Sequence, residues 1–265
     1  MVHIIEERVE TLTAYVTTEL TAAELDDFKS RFESGACSRF CPLLHVKLVR
    51  APQDYIGQSI QHIRTKEDAA GRGEPFLVID EEARKRGGIW FIESFALEDN
   101  VEMGTAASTD VVLKALYKPE VVALAAVNFL GANMGIEEDI EGCGVELPLT
   151  NESVQPELIG EDYPDVRDEQ DAVVIAEPGE FETTTSKATI DGLGMMPVPK
   201  KVGRLTEEVA RANGFVNDWT RVEKPEPIEL PKGAKKYFPK ESVALQLKYD
   251  PEHPWPVYTW PEGSL

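Results

Sequence analysis

Two short apolar runs near the middle of the chain constrain the fold more than any other feature. Residues 75–80 are Pro-Phe-Leu-Val-Ile-Asp, and residues 89–95 are Ile-Trp-Phe-Ile-Glu-Ser-Phe. Consecutive β-branched and aromatic residues are typical of strands that are covered on both faces. The connection between them is charged, ends in two glycines and is too short for a helical crossover. The two runs are therefore predicted to pair antiparallel in the middle of a sheet.

Strand and helix patterns alternate ahead of this pair. A strand is predicted at residues 12–18, and Thr21 with Glu24 forms a capping box for the helix that follows. A second strand is predicted at residues 43–50. Pro52 is then expected to open a helix. The apolar face of that helix is Ile56, Ile60 and Ile63, at four- and three-residue spacing.

The pattern continues after the central pair and then changes. Residues 111–118 are predicted to be a further strand, because Pro119 interrupts a helix there and a helix can start at Glu120. Beyond residue 142 the chain is rich in turn-forming residues. The regular elements expected there are strands at 171–176 and 242–249 and a helix at 206–213 that Gly214 stops.

These patterns predict an α/β fold with a mixed sheet and flanking helices over residues 1–141. An acidic linker or loop is predicted over residues 142–182, since residues 137–182 hold 16 acidic side chains against one arginine. Residues 183–265 are predicted to be an irregular, Pro-rich extension that packs on the domain or on a partner. Its expected anchors are Trp219, Tyr237, Phe238, Trp255, Tyr258 and Trp260.

Charge and composition exclude several classes of function. The formal net charge of −21 opposes binding to nucleic acid or to an anionic membrane. No apolar run approaches the roughly 20 residues that span a bilayer, and the first residues resemble neither a secretory nor a mitochondrial leader. Three cysteines without a pairing pattern suit a reducing compartment. We therefore expect a cytoplasmic protein.

Four segments of the first half carry a resemblance to a known family. They are Val16-Thr-Thr-Glu-Leu-Thr21, Val46-Lys-Leu-Val49 followed by Pro52, Tyr55, Gly57 and Ser59, then residues 75–80, and Asn128-Phe-Leu-Gly-Ala-Asn-Met134 followed by Ile136-Glu-Glu138. In their order and spacing, residues 12–141 resemble the family of short proteins classed as domain of unknown function 6924. Gly135 and Ala51 stand where that family usually has Asp. The family has no established activity, so the resemblance implies a fold and no mechanism.

Polar residues beside predicted core elements are the candidate binding residues. Asn128, Asn133, Glu137 and Glu138 lie where a buried helix ends, where polar side chains either cap backbone groups or present to a ligand. Asp80 ends a central strand, where it either caps a turn or acts as the functional carboxylate of an α/β sheet.

A metal site is not predicted. Cys37, Cys41 and His45 are spaced regularly and Cys143 could complete a set of four ligands. However, Pro42 interrupts a helix that would align them, and the spacing of known zinc fingers is absent. We expect neither a metal nor another cofactor.

Two classes of function remain open. The first is a non-enzymatic interaction or assembly protein, favoured by the missing catalytic motif, the uneven charge and the aromatic, Pro-rich end of the chain. The alternative is a cofactor-independent isomerase, cyclase or hydrolase that uses Asp80, Glu93, His45 or His62 as acid and base. The expected partner is accordingly a protein or a small molecule. The sequence leaves the oligomeric state open.

Overall fold

The described residues fall into two compact units. The computed structural model of the chain describes residues 2–5, 9–36, 42–130, 135–160, 171–229, 234–256 and 258–265. We call Val9–Arg167 with Tyr258–Leu265 the α/β unit, and Met1–Arg8 with Asp168–Val257 the antiparallel unit. These divisions differ from the expected domains 1–141, 142–182 and 183–265.

Strands and helices are numbered in chain order. The antiparallel unit contributes β1 (His3–Ile4) first. The α/β unit then contains β2 (Glu10–Val16), α1 (Ala22–Ala36), β3 (Leu44–Arg50), α2 (Ile60–Ala69), β4 (Phe76–Ile79), α3 (Glu81–Arg86), β5 (Ile89–Phe95), α4 (Glu98–Glu102), β6 (Val112–Tyr117), α5 (Pro119–Leu130) and α6 (Ile136–Gly142). The antiparallel unit resumes with β7 (Asp171–Ala176), β8 (Phe181–Thr184), α7 (Lys187–Gly192), β9 (Val202–Leu205), α8 (Glu207–Asn213), β10 (Thr220–Glu223), β11 (Ile228–Glu229), β12 (Lys235–Lys236) and β13 (Val243–Lys248).

The α/β unit is built on a mixed sheet. Within the described residues its strand order is β3-β2-β4-β5-β6. Strand β2 runs parallel to β3 and β4, whereas β5 is antiparallel to both of its neighbours, with Leu77 opposite Phe91. The predicted α/β class with a mixed sheet is confirmed. The predicted antiparallel central pair is confirmed as well, although its connection contains the short helix α3, which Gly87 ends at a φ of 66°.

Helices cover both faces of this sheet. Phe28 and Phe32 of α1 and several residues of α5 pack on the face that includes Leu77 and Phe91. Ile63 of α2 belongs to the cluster on the other face, with Val78, Trp90 and Leu116. All four residues of β4 are buried, so the consecutive apolar run has the two-sided burial that its pattern predicts.

Helix starts follow local side-chain chemistry. The capping box at the start of α1 is present, since the backbone N–H of Thr21 donates to the Glu24 carboxylate at 2.8 Å and that of Glu24 donates to the Thr21 hydroxyl at 3.2 Å. The prediction that Pro52 opens α2 is wrong. The chain turns at Gly57, with a φ of 71°, and α2 begins only after Ser59, which accepts from the backbone N–H of His62. A left-handed residue cannot continue a helix.

Irregular segments close the two edges of the sheet. Gln155 covers β6, because its side-chain amide accepts from the N–H of Leu116 and donates to the carbonyl of the same residue, both at 2.8 Å. Ile159 adds a backbone hydrogen bond to Leu116. At the other edge, residues 263–265 pair with β3. Part of the stretch expected to be an acidic linker is therefore integral to the α/β unit.

The antiparallel unit is more regular than the sequence indicated. In its described part, the strand order is β1-β7-β13-β10-β9-β8, and α8 packs on one face through Ala210. The strands expected at 171–176 and 242–249 and the helix expected at 206–213 are present as β7, β13 and α8. The short strands β8 to β10 have no clear periodicity of their own. No helix among the described residues has the length and apolarity needed to cross a membrane.

Gly35 sets the closest approach of α1 to α5. A Cβ added at Gly35 would lie 1.5 Å from the backbone oxygen of Glu120. We predict that Gly35→Ala lowers the free energy of unfolding by about 1–3 kcal/mol, because α1 has to move away from α5. Urea denaturation followed by circular dichroism measures the change.

Gly142→Ala is the matched control. Gly142 also lies in a helix, α6, but nothing is within 4 Å of an added Cβ there. Since alanine favours helix over glycine by about 0.5–1 kcal/mol, this variant should be as stable as the parent or more stable. Equal effects of the two substitutions would contradict the steric explanation.

Candidate functional site

Asp80 has a structural role at the end of β4. One oxygen of its carboxylate accepts from the backbone N–H of Ala83 at 2.8 Å and from Trp90 Nε1–H at 3.2 Å. The residue is therefore the N-cap of α3 and holds the indole of a buried tryptophan. This end of β4 adjoins the position where the strand order reverses, which is where open α/β sheets often bind ligands.

The residues predicted around the end of α5 are only partly brought together. Asn128 is half-buried on α5, whereas Asn133 lies outside the described residues. Glu138 is exposed and accepts from the backbone N–H of Gly135 at 3.5 Å, closing the start of α6. Glu137 is half-buried and accepts from the side-chain amide of the buried Asn100.

Glu93 joins Glu137 in a pair of carboxyl groups. Glu93 lies two positions after Phe91 on β5, and its pKa is raised to about 7, first by burial and second by the charge of Glu137. Nearby, the Tyr117 hydroxyl donates to Asp139 at 2.7 Å, and burial followed by the charge of Asp139 raises the pKa of that phenol. A carboxyl group with a pKa near neutrality can accept or donate a proton in the cell.

The other acid and base candidates are dispersed. Asp80 and Trp90 lie at the opposite end of β5 from Glu93. The Nε2 atom of His45 contacts the Tyr258 hydroxyl at 2.6 Å, and burial lowers the pKa of its imidazole. His62 lies on α2 with Nε2 buried and unpaired within the described residues. The structure therefore places no two of these four side chains in one described site.

Neither the cavities nor the metal-ligating groups among the described residues extend the site around Glu93 and Glu137. A cavity beside Lys114, Trp90 and Gln155 measures about 20 Å³, room for about one water molecule. Neither this cavity nor the larger groove described next is lined by Glu93. Among the described residues no cluster of His, Cys, Asp and Glu is arranged to hold a metal. Cys37 and Cys41 lie outside those residues.

The larger of the two openings described is a groove on the sheet of the antiparallel unit. Its volume is about 350 Å³. Val173 is opposite Gln246, and Glu223 is opposite Ala244. These four residues therefore share the face of the sheet that points away from the core of the unit, and all four line the groove.

The segment after α7 borders this groove with exposed apolar side chains. Met195 and Met196 line it, and Met196 is 83% exposed. Val198 follows at 59% exposure. Arg221 of β10 donates from Nη2 to the Pro197 carbonyl at 2.8 Å, which ties the segment to the sheet. Adjacent exposed apolar residues on an ordered segment are typical of interaction surfaces.

Comparison with known proteins assigns no function to the chain, so the assignment rests on the geometry described above. No family model, no curated protein and no solved structure matched the chain.

The groove was not foreseen in the sequence, although a signal for it exists. Residues 195–199 are Met-Met-Pro-Val-Pro, a run of large apolar side chains between turn-forming residues that has neither strand nor helix periodicity. A run without such periodicity has no single apolar face that could pack against the core of its own unit. The rest of the groove could not be predicted, because β7, β10 and β13 meet there from distant parts of the chain.

Asp80 can be tested as a capping residue. We predict that Asp80→Ala lowers the free energy of unfolding by about 2 kcal/mol, because α3 loses its cap and Trp90 loses its acceptor. Asp80→Asn keeps an acceptor oxygen and should retain most of the stability. Chemical denaturation of both variants is the measurement. If Asp80→Ala were as stable as the parent, Asp80 would have no structural role at this position.

Glu93 should make stability depend on pH. Its pKa is raised from 4.5 to about 7 in the folded chain, so folding is favoured while the carboxyl is protonated, and this contribution is lost as the pH rises from about 4.5 through about 7. We predict that Glu93→Gln is more stable than the parent at pH 8 by about 1–2 kcal/mol, after allowance for its partial exposure. The difference should nearly vanish below pH 4.5.

Thermal denaturation at pH 8 and at pH 4 measures the effect. Glu141→Gln is the control, since Glu141 is an exposed residue of the neighbouring helix α6. A stability change in Glu93→Gln that is the same at both pH values would refute a raised pKa.

Proposed function

We propose that the protein is a non-enzymatic interaction protein that binds an extended segment of another protein in the groove of the antiparallel unit. The observation that carries this proposal is the pair of methionines beside an open sheet face. Met195 and Met196 line the groove, and Met196 leaves most of its surface in solvent. Flexible, polarizable methionine side chains adapt to different apolar partners.

The shape of the groove favours a polypeptide over a small molecule. Small-molecule sites bury most of the ligand in a concave pocket, whereas this groove lies on a sheet face and opens to solvent along it. Strands β7, β10 and β13 provide a lining with alternating side chains. An extended chain presents side chains at the same two-residue period and fits such a surface.

Charge favours a cationic partner. The chain carries a net charge of −21, so a basic segment is attracted at long range and an acidic one is repelled. Glu223 lines the groove itself and could pair with a Lys or Arg of the bound segment, while Arg221 is engaged with the Pro197 carbonyl. The proposed ligand is therefore an extended segment with apolar side chains and at least one basic residue.

Catalysis at Glu93 is the second candidate function. Its raised pKa, beside Glu137, is the observation that favours it. If a small molecule is turned over there, Glu93→Gln should lower turnover by a factor of roughly 10² or more while the fold is kept. No contact among the described residues joins Glu93 to Asp80, His45 or His62, and this favours the interaction protein.

Peptide selection tests the proposed function. The full chain is used to select binders from a random twelve-residue peptide library, and the dissociation constants of the selected peptides are measured by calorimetry. We predict that the selected peptides combine apolar residues at alternate positions with Lys or Arg. Binding should weaken at least tenfold in Met196→Asp, because a carboxylate in the groove opposes burial of apolar side chains.

Met103→Asp is the matched control. Met103 is 70% exposed and lies in the α/β unit, so it offers the same substitution at a similar exposure outside the groove. Its affinity for the selected peptides should equal that of the parent. Failure to select peptides, or equal weakening in both variants, would overturn the proposal.

A further inference from the structure

Met195 and Met196 place two thioether groups at the groove of the antiparallel unit. Met196 is 83% exposed, and Met195 is half-buried while it lines the same groove. Arg221 ties the segment to the sheet through its hydrogen bond to the Pro197 carbonyl at 2.8 Å. The thioether of Met196 can therefore be reached by small molecules in solvent, beside the surface that is proposed to bind a peptide.

A thioether can be oxidised without the help of catalytic groups. One oxygen atom of hydrogen peroxide is transferred to the sulfur atom, the O–O bond breaks, and the rest of the peroxide leaves as water. The sulfur atom gives up two electrons and becomes a sulfoxide, with no net change in protons. Methionine sulfoxide reductases reverse the step, and two thiols then become a disulfide and water. The reaction is therefore a reversible change from an apolar to a polar side chain.

The cysteine that the structure describes is a poor competitor for the same oxidant. Cys143 is half-buried, and its Sγ–H donates to the Asp139 carbonyl at 3.0 Å. Burial, followed by the charge of Asp139, raises the pKa of the Cys143 thiol, whereas the thiolate is the reactive form. Cys37 and Cys41 lie outside the described residues. Among the described sulfur atoms, those of the exposed methionines are accordingly the accessible targets.

We propose that Met196, with Met195 beside it, is a reversible oxidation site that controls whether the groove is occupied. The inference rests on the proposed function, because it concerns regulation of the same groove. A sulfoxide oxygen either is buried without a donor under an apolar side chain of the ligand or turns away to find a donor. In both cases an apolar contact with the ligand is lost. Oxidation therefore releases the bound segment, and reduction restores binding.

Affinity before and after oxidation tests the proposal. The full chain is treated with hydrogen peroxide, the peroxide is removed, and the oxidised residues are identified by peptide mass spectrometry. Calorimetry then measures the dissociation constant of a selected groove peptide that contains neither Met nor Cys. We expect oxidation of Met196 and at least about tenfold weaker binding, because a polar group enters an apolar contact. The two methionine sulfoxide reductases, one for each sulfoxide epimer, should restore the affinity.

Leucine variants separate the groove from the rest of the chain. Met195→Leu with Met196→Leu keeps apolar side chains of similar size that peroxide does not oxidise, so the affinity of this variant should be the same before and after treatment. Met103→Leu is the matched control. Met103 is 70% exposed and lies in the α/β unit, so this variant should lose affinity on oxidation as the parent does.

Several outcomes would overturn the proposal. They are a Met196 that stays unmodified while Met103 is oxidised, an oxidised parent that keeps its affinity, and a double leucine variant that loses as much affinity as the parent. A lower Tm of the oxidised chain would also overturn it, since the weaker binding would then reflect unfolding.

The untreated chain distinguishes this inference from the proposed function. If no selected peptide binds the untreated chain, the proposed function fails and the inference fails with it. If the untreated and the oxidised parent bind the peptide equally well, only the inference fails.

Discussion

Burial of β4 on both faces is the constraint on which the rest of the α/β unit depends. Its residues Phe76–Ile79 expose almost no surface, so the sheet needs a helical layer on each side. The crossover helices α1 and α2 lie on opposite faces and provide these layers together with α5. Burying one such apolar side chain contributes about 1.5–3 kcal/mol, and the four buried side chains of β4 together outweigh a single cap, which contributes about 0.5–2 kcal/mol. The close approach at Gly35 follows from the same need to cover the strand.

The sheet edges create a second requirement, because an uncovered strand can pair with another chain. At β6 the cover is the amide of Gln155, which makes both hydrogen bonds that a neighbouring strand would make to Leu116. At β3 the cover is residues 263–265. The first cover continues directly from the α/β unit, whereas the second is separated from the rest of that unit in the sequence by residues 168–257.

Buried charge has different consequences in different parts of the molecule. The Arg64 guanidinium is fully buried, and it ion-pairs with Asp68 and donates to the backbone carbonyls of Glu74, Arg72 and Glu93. Glu67 is likewise buried and paired with Arg72. Because Arg64 and Glu67 have these partners, they stabilise the position of α2. Glu93 has no such partner, and its pKa is raised to about 7, first by burial and second by the charge of Glu137.

The sequence by itself determined the local elements of this protein. The apolar runs at 75–80 and 89–95 predicted buried strands, Thr21 and Glu24 predicted the start of α1, and Gly214 predicted the end of α8, because periodicity, capping and left-handed glycines act over a few residues. Only the tertiary structure decided which strands meet, since β7 pairs with β13 about seventy residues away. The groove beside Met196, the raised pKa of Glu93 and the docking of Leu265 on β3 likewise depend on neighbours that are distant in the chain. Desolvation and pairing are properties of those neighbours, and no local pattern encodes them.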